Sequence, residues 1–245
     1  MAAEFAGQTL TTIGSFPLTN TFLTTLLTDG IIIAGIVALH KHVKKIPGFF
    51  QNMIEFVVDG LYGLTETVAG NNTKKIFPWF MGFFVFILVA NWLSLFPGFE
   101  TIGFTKNGTF IPFLKGATSD INLTLGLALV SAIATHVLAI RTIGIGEYLS
   151  RYFSLNPIFL FVGLLELVSE VTKIISLSFR LFGNIMAGEV VLTTVSKMFA
   201  FILPLPFISL EIIVGLVQAL VFSILTMTFM SILMTPHHEG GEHHS

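Results

Sequence analysis

Residues 166–189 read Glu166-Leu-Val-Ser169-Glu170-Val-Thr-Lys173-Ile-Ile-Ser176-Leu-Ser-Phe-Arg180-Leu-Phe-Gly-Asn184-Ile-Met-Ala-Gly-Glu189. Apolar residues dominate the run, and polar ones interrupt it at regular steps. Positions 166, 169, 173, 176, 180 and 184 are three or four apart, so on an α-helix all six side chains fall within about 40° of Arg180. Glu189, nine residues beyond Arg180, points the opposite way and lies about 13 Å further along the axis. The run belongs to a long helical stretch, 157–200, opened by Asn156-Pro157 and ended before Pro204 and Pro206.

The rest of the chain identifies the solvent of that stretch. Of 245 residues 53% are hydrophobic and 11% charged, against about 25% charged in a soluble domain. Mean hydropathy is +0.87. Four further segments are apolar over lengths suited to the bilayer: 22–39, 76–96, 121–140 and 207–234. Between the first two, Phe50, Ile54, Val57, Val58, Leu61 and Leu64 recur at helical spacing with Glu55, Asp59 and Glu66 among them. That pattern predicts an amphipathic helix over 49–69, lying at the membrane interface. Asp120 stands where it can cap the helix that begins near Ile121. The expectation is an all-α integral membrane protein: one membrane domain over 1–245, five transmembrane helices plus one interfacial helix, the last two spans a long, tilted hairpin, and a flexible tail at 236–245.

Charge sets orientation. Lys41, Lys44, Lys45, Lys74, Lys75, Arg141 and Arg151 fall in two loops, against Lys106 and Lys115 in the loop on the other side. Cytoplasmic loops carry the basic excess, so the N-terminus is expected outside and the C-terminus inside. Residues 1–8 lack the basic stretch and apolar core of a signal peptide, which leaves insertion to the spans themselves. There is no cysteine, so disulfides, thiolate metal sites and cysteine nucleophiles are excluded. A net charge of -2 gives no reason to expect nucleic acid.

An ionisable residue at the centre of a span costs at least about 2.5–3.5 kcal/mol on insertion scales, so the polar stripe calls for a use. Glu166, Glu170 and Lys173 could simply hold the bundle together, since Glu170 and Lys173 at i, i+3 can form a local pair. Arg180 is different, because a guanidinium is not deprotonated in proteins. A permanent positive charge flanked by groups that exchange protons is what a proton path with a barrier requires. On the last span Glu211 and Gln218 are seven residues apart, on nearly one face and about 10 Å apart. They could meet Glu189 and Arg180 if the two helices form an antiparallel hairpin.

The run from Ser176 to Glu189 closely resembles the signature helix of subunit a of F-type ATP synthases: a serine, then Arg-Leu-Phe-Gly-Asn, then Ala-Gly-Glu. Further matches extend along nearly the whole chain: Phe16-Pro-Leu-Thr-Asn20, Asn91-Trp-Leu-Ser-Leu-Phe-Pro-Gly98, Asp120-Ile-Asn122-Leu-Thr124 and Gly215-Leu-Val-Gln218-Ala-Leu-Val-Phe222. The resemblance implies that Arg180 is the stator charge facing the carboxylate of a rotating c-ring, with Asn184 and Gln218 as polar neighbours. It implies that Glu189, Glu211 and Asn122 line a half-channel from the outside, and Glu166, Ser169 and Ser176 one to the inside. The implied partners are the c-ring subunits, the peripheral-stalk subunit b, the rest of the synthase and the lipid bilayer. No cofactor or metal is implied. The implied location is a bacterial plasma membrane, with an organelle inner membrane as the alternative. Two positions depart from the pattern. Some members carry a histidine as the partner of the glutamate at 189, and here position 211 is Glu, so two carboxylates could share a proton. Ile174 replaces a common proline, and Lys173 is given no channel role.

Weaker signals are set aside. The tail His237-His-Glu-Gly-Gly-Glu-His-His244 has metal-ligand residue types, but its two glycines oppose a helix and the spacing is not H-E-x-x-H. His136 is a single histidine in a span, for which hydrogen-bonded packing competes with a proton relay. Three Asn-x-Thr triplets are too short a motif to mean much. An ion-coupled secondary transporter or antiporter would also place charges in the membrane, but it usually shows inverted repeats, and no internal repeat is visible. An intramembrane enzyme lacks its nucleophile elbow or metal motif here, and no phosphate loop is present for ATP chemistry. The expected role is therefore a non-catalytic channel subunit.

Overall fold

The computed structural model describes residues 7–13, 16–96, 99, 102–106, 109–152, 157–198 and 204–235. The histidine-rich tail and Asn156 lie outside these residues.

Among the described residues seven α-helices dominate. α1 spans Asn20–His42, α2 Phe49–Ala69, α3 Thr73–Ser94, α4 Ile121–Ile143, α5 Ile145–Tyr152, α6 Pro157–Met198 and α7 Pro204–Met234. Four helical segments are long and apolar enough to cross a membrane: Asn20–His42, Phe49–Ser94, Ile121–Ile143 and Pro204–Met234. The 42 residues of α6 extend about 63 Å at 1.5 Å per residue, roughly twice the hydrocarbon thickness. A helix of that length must tilt strongly or project from the bilayer.

Several helix boundaries have a local cause. Thr19 starts α1 by accepting from the Phe22 amide at 3.2 Å, and Asp120 starts α4 by accepting from the Asn122 amide at 2.9 Å. Gly144 ends α4 with φ +89°, a conformation that suits glycine. Pro204 and Pro206 sit in the first turn of α7, where their missing N–H groups would have had no helical acceptor. Inside α1 the hydroxyls of Thr24, Thr25 and Thr28 donate to the carbonyls four residues back. Polar threonines thereby stay satisfied in a helix whose outer face, including Ile33 and Ile36, is exposed and apolar.

The core forms where α7 packs on α3 and α4, and where α6 packs on α4 and α7. Ile76, Phe80, Met227, Met230 and Leu233 are buried towards one end. Phe83, Ile87, Leu177, Leu181 and Phe222 are buried towards the other, with the Phe83 and Phe222 rings 5.6 Å apart. Ala128 and Ala219 are fully buried among them, and such small residues let membrane helices approach closely. Side-chain hydrogen bonds cross the same seams: Asn91 Nδ2 donates to the Gly215 carbonyl at 3.2 Å, Ser131 and Thr226 pair at 2.9 Å, and Thr124 and Ser178 at 3.2 Å.

Three features were not anticipated. Two antiparallel hairpins occur, β1 (Thr9–Ile13) with β2 (Phe16–Thr19), and β3 (Gly103–Lys106) with β4 (Thr109–Pro112). Strands of four or five residues give too few alternations to register as a period, although Asn107-Gly108 between β3 and β4 is a strong hairpin dipeptide. The connection after α4 also folds, as the short helix α5.

Candidate functional site

The polar residues meet where α6 and α7 cross. Asn184 Nδ2 donates to Gln218 Oε1 at 2.6 Å. Gln218 is buried, and its Nε2 has no hydrogen-bond partner among the described residues. One turn before Asn184 on α6, Arg180 is exposed on the flank of the bundle. Among the described residues it makes no ion pair. Leu181 and Phe182, directly after it, are buried.

Two cavities flank this crossing and share no lining residue. One, of about 420 Å³, is walled by Ile185, Glu189, Thr193, Ser196 and Lys197 of α6, by Ile208 and Glu211 of α7, and by Ser94 and Gly116. The other, of about 440 Å³, is walled by Ser169, Thr172, Lys173, Ser176 and Arg180 of α6, with Leu225 and Phe229 of α7. Helical geometry explains the division. Residues 169, 173, 176 and 180 repeat on one face, while 189 is rotated half a turn away, so the same helix presents two polar surfaces displaced along its axis.

Glu211 is buried at 6% exposure, and its Oε1 has no hydrogen-bond partner among the described residues. Its carboxylate lies so close to the backbone at Gly188 that a β-carbon there would collide with it. With any larger residue at 188 the flexible end of Glu211 would have to swing away from α6, so glycine is what lets the carboxylate rest against the helix in this arrangement.

The structure brings Glu189 and Glu211 to one cavity, Arg180, Ser169 and Ser176 to the other, and Asn184 and Gln218 together between them. Glu166 is half-buried on α6 and is not in either cavity wall. Asn122 is exposed in the first turn of α4, also outside both walls. Sequence reasoning missed Thr193, Ser196 and Lys197 on the Glu189 side, although 189, 193 and 196 continue one face of α6 and could have been found by that spacing. It also missed Thr172 and Ser94.

The motif on α6 agrees with what comparison with known proteins finds. The family model for the ATP synthase A chain matches residues 21–231. The chain belongs to the ATP synthase subunit a family. It is 32% identical over 225 residues to ATP synthase subunit a of Moorella thermoacetica, covering 92% of this chain and 95% of that one. The family match contains every residue that walls the two cavities. As a member of this family the chain is a multi-pass membrane component of an F-type ATP synthase complex.

Proposed function

We propose that this chain translocates protons through two offset half-channels beside a rotating ring of c subunits. The observation that carries the reading is the pair of separate cavities on either side of the Arg180, Asn184 and Gln218 crossing. A continuous pore would let protons pass without turning anything. Two blind clefts require a carrier to move between them.

A proton enters the cavity holding Glu211 and Glu189 from outside and reaches a carboxylate of the ring. The neutral acid then travels through lipid for almost a full rotation and releases its proton into the cavity lined by Ser169 and Ser176, towards Glu166 and the inside. Asn122 lies at the outer end of α4, near the expected entrance. Each charge crossing the membrane contributes about 2.3 kcal/mol per 100 mV. Arg180, exposed at the edge of the inner cavity, stabilises the ionised ring carboxylate as it passes. The same fixed charge repels protons that would leak straight from one cavity to the other. Asn184 and Gln218 are the polar surface across which the ring carboxylate slides. The chain itself is non-catalytic. Subunit b of the peripheral stalk is the partner proposed for α2, whose exposed face includes Phe49, Phe50 and Phe56. The proposed setting is a bacterial plasma membrane, with the N-terminus outside and the C-terminus in the cytoplasm.

The test is ATP-driven acidification by the assembled complex in liposomes, with wild-type Arg180 and with Arg180→Ala, alongside passive proton leak after removal of the soluble head. Loss of pumping with leak equal or greater is the expected result. Pumping at the wild-type rate with alanine would sink the reading.

A further inference from the structure

Glu170, Lys173, His136 and Tyr148 form a second titratable cluster beside the inner cavity, assembled from three helices. Glu170 Oε1 accepts from Lys173 Nζ at 2.8 Å, within one turn of α6. The other oxygen of the same carboxylate, Oε2, faces His136 Nε2 of α4 at 3.7 Å. His136 Nδ1 is hydrogen-bonded to Tyr148 Oη of α5 at 2.9 Å. Lys173 rests over the Phe229 ring of α7, 4.8 Å from its centre. Among the described residues His136 contacts two ionisable groups, Tyr148 of α5 and Glu170 of α6, and Lys173 of α6 is bonded to that glutamate. Neighbouring Thr135 and Ser131 on α4 and Phe229 on α7 cannot titrate in the physiological range.

The cluster adjoins the cavity that holds Arg180. Lys173, Leu177 and Phe229 wall that cavity on one side and a much smaller one on the other, of about 10 Å³. The small one is completed by Ser131, Thr135 and Glu170. Its size is close to the least that holds one water, and its hydroxyl and carboxylate walls are the kind that a water needs. Glu170 has a side chain 14% exposed and His136 one 29% exposed, so the carboxylate faces inward and the imidazole reaches further out. His136 lies five residues before Arg141, near the inner end of α4.

We propose that Glu170 and His136 form a side branch of the inner pathway, a carboxylate–imidazole relay that leads protons from the cavity beside Arg180 to the cytoplasmic surface between α4 and α5. The inference rests on the half-channel reading. Glu170 takes a proton that arrives from the larger cavity through the water of the small one, leaving that water neutral, and His136 Nε2 takes it from the carboxyl, giving the imidazolium and restoring the carboxylate. With Nδ1–H donating to Tyr148 Oη throughout, the partly exposed ring then gives its Nε2 proton to a surface water and returns to its starting form. Tyr148, bonded to Nδ1, orients the ring so that Nε2 faces Glu170. Lys173 fixes the carboxylate at the cavity wall and leaves its second oxygen turned to the histidine. Imidazole suits this position because one ring nitrogen can hold its hydrogen bond while the other accepts and releases a proton.

The test uses the assembled complex in liposomes with its inner face outward and reads ATP-driven acidification between about pH 6 and 8. His136→Ala is expected to slow pumping by about twofold, less than the about 10²–10⁴ of an obligatory acid–base group because the route past Glu166 remains. Added imidazole, small enough to occupy the vacated space, is expected to restore most of the rate. Glu170→Gln with Lys173→Gln, which keeps the buried pair neutral, is expected to slow pumping similarly and to show no gain from imidazole. Wild-type rates in His136→Ala across the pH range would overturn the relay. A slow His136→Ala complex that imidazole does not rescue would also overturn it, in favour of a packing contact. Arg180→Ala is measured alongside: if it too pumps normally, the half-channel reading falls and takes the relay with it.

Discussion

Glu211 and Gly188 show how much a single missing side chain can decide. The carboxylate occupies the space that a β-carbon at 188 would take, so Gly188→Ala must displace either the helix or the carboxylate. Because that carboxylate ends a flexible side chain it can swing aside, so the cost lies at or below the low end of the about 1–3 kcal/mol typical of overpacking. The expected outcome is a complex that assembles with a lower melting temperature and pumps poorly, checked by calorimetry and liposome acidification. Glu211→Gln, which keeps the volume, is expected to preserve melting while lowering pumping. The pair of variants separates shape from proton exchange at one position. Face arithmetic on the sequence placed Glu189 away from Arg180, and the cavities divide in that way. The contact of Glu211 with Gly188, and the bond from Asn184 to Gln218, were not legible to that depth. They depend on the relative slide of two helices, which no spacing within either helix encodes.

Asp120 joins several elements through one carboxylate. One oxygen caps α4 at the Asn122 amide. The other accepts from the Thr21 hydroxyl of α1 at 2.7 Å and from the Gly7 amide ahead of β1 at 2.9 Å. Replacing an N-cap aspartate by alanine costs about 1 kcal/mol for the cap alone. Asp120→Ala is expected to cost more than that, and to make the β1–β2 hairpin cleavable by added protease well before the helices. Asp120→Asn, which can still accept, is expected to fall between. The sequence announced the cap, because an aspartate before an apolar run has a local meaning. It gave no hint of the partners at positions 7 and 21, which are brought in by tertiary packing across about a hundred residues. The helices themselves were legible because bilayer-length apolar runs have few alternative structures. The short strands were not, since four residues of alternation resemble loop sequence.

At the scale of the whole molecule, the proposed half-channels require the cavity with Glu189 and Glu211 to open towards one face of the membrane and the one with Ser169 and Arg180 towards the other. Because the chain has no cysteine, single cysteines can report on this without a background to remove. Thr193→Cys is expected to react with a small, membrane-impermeant thiol reagent added outside. Thr172→Cys is expected to react only with reagent added on the cytoplasmic side. Labelling of both from one side would contradict the two-cavity arrangement and the orientation drawn from the basic loops.

Arg180 also bears on how such a chain survives before its complex is built. Its guanidinium points off the flank of the bundle, so until a carboxylate-bearing partner arrives it faces acyl chains or drags water and headgroups towards itself. A newly inserted chain is therefore a strained resident of the bilayer. Quality-control proteases that sample polar groups within the membrane should recognise it as an orphan. If the proposed ring is that partner, order of synthesis becomes part of the design: the ring is needed first, or the stator subunit is lost. In cells lacking the ring, Arg180→Leu should outlive the wild-type chain in a pulse-chase experiment, although it could never drive the motor.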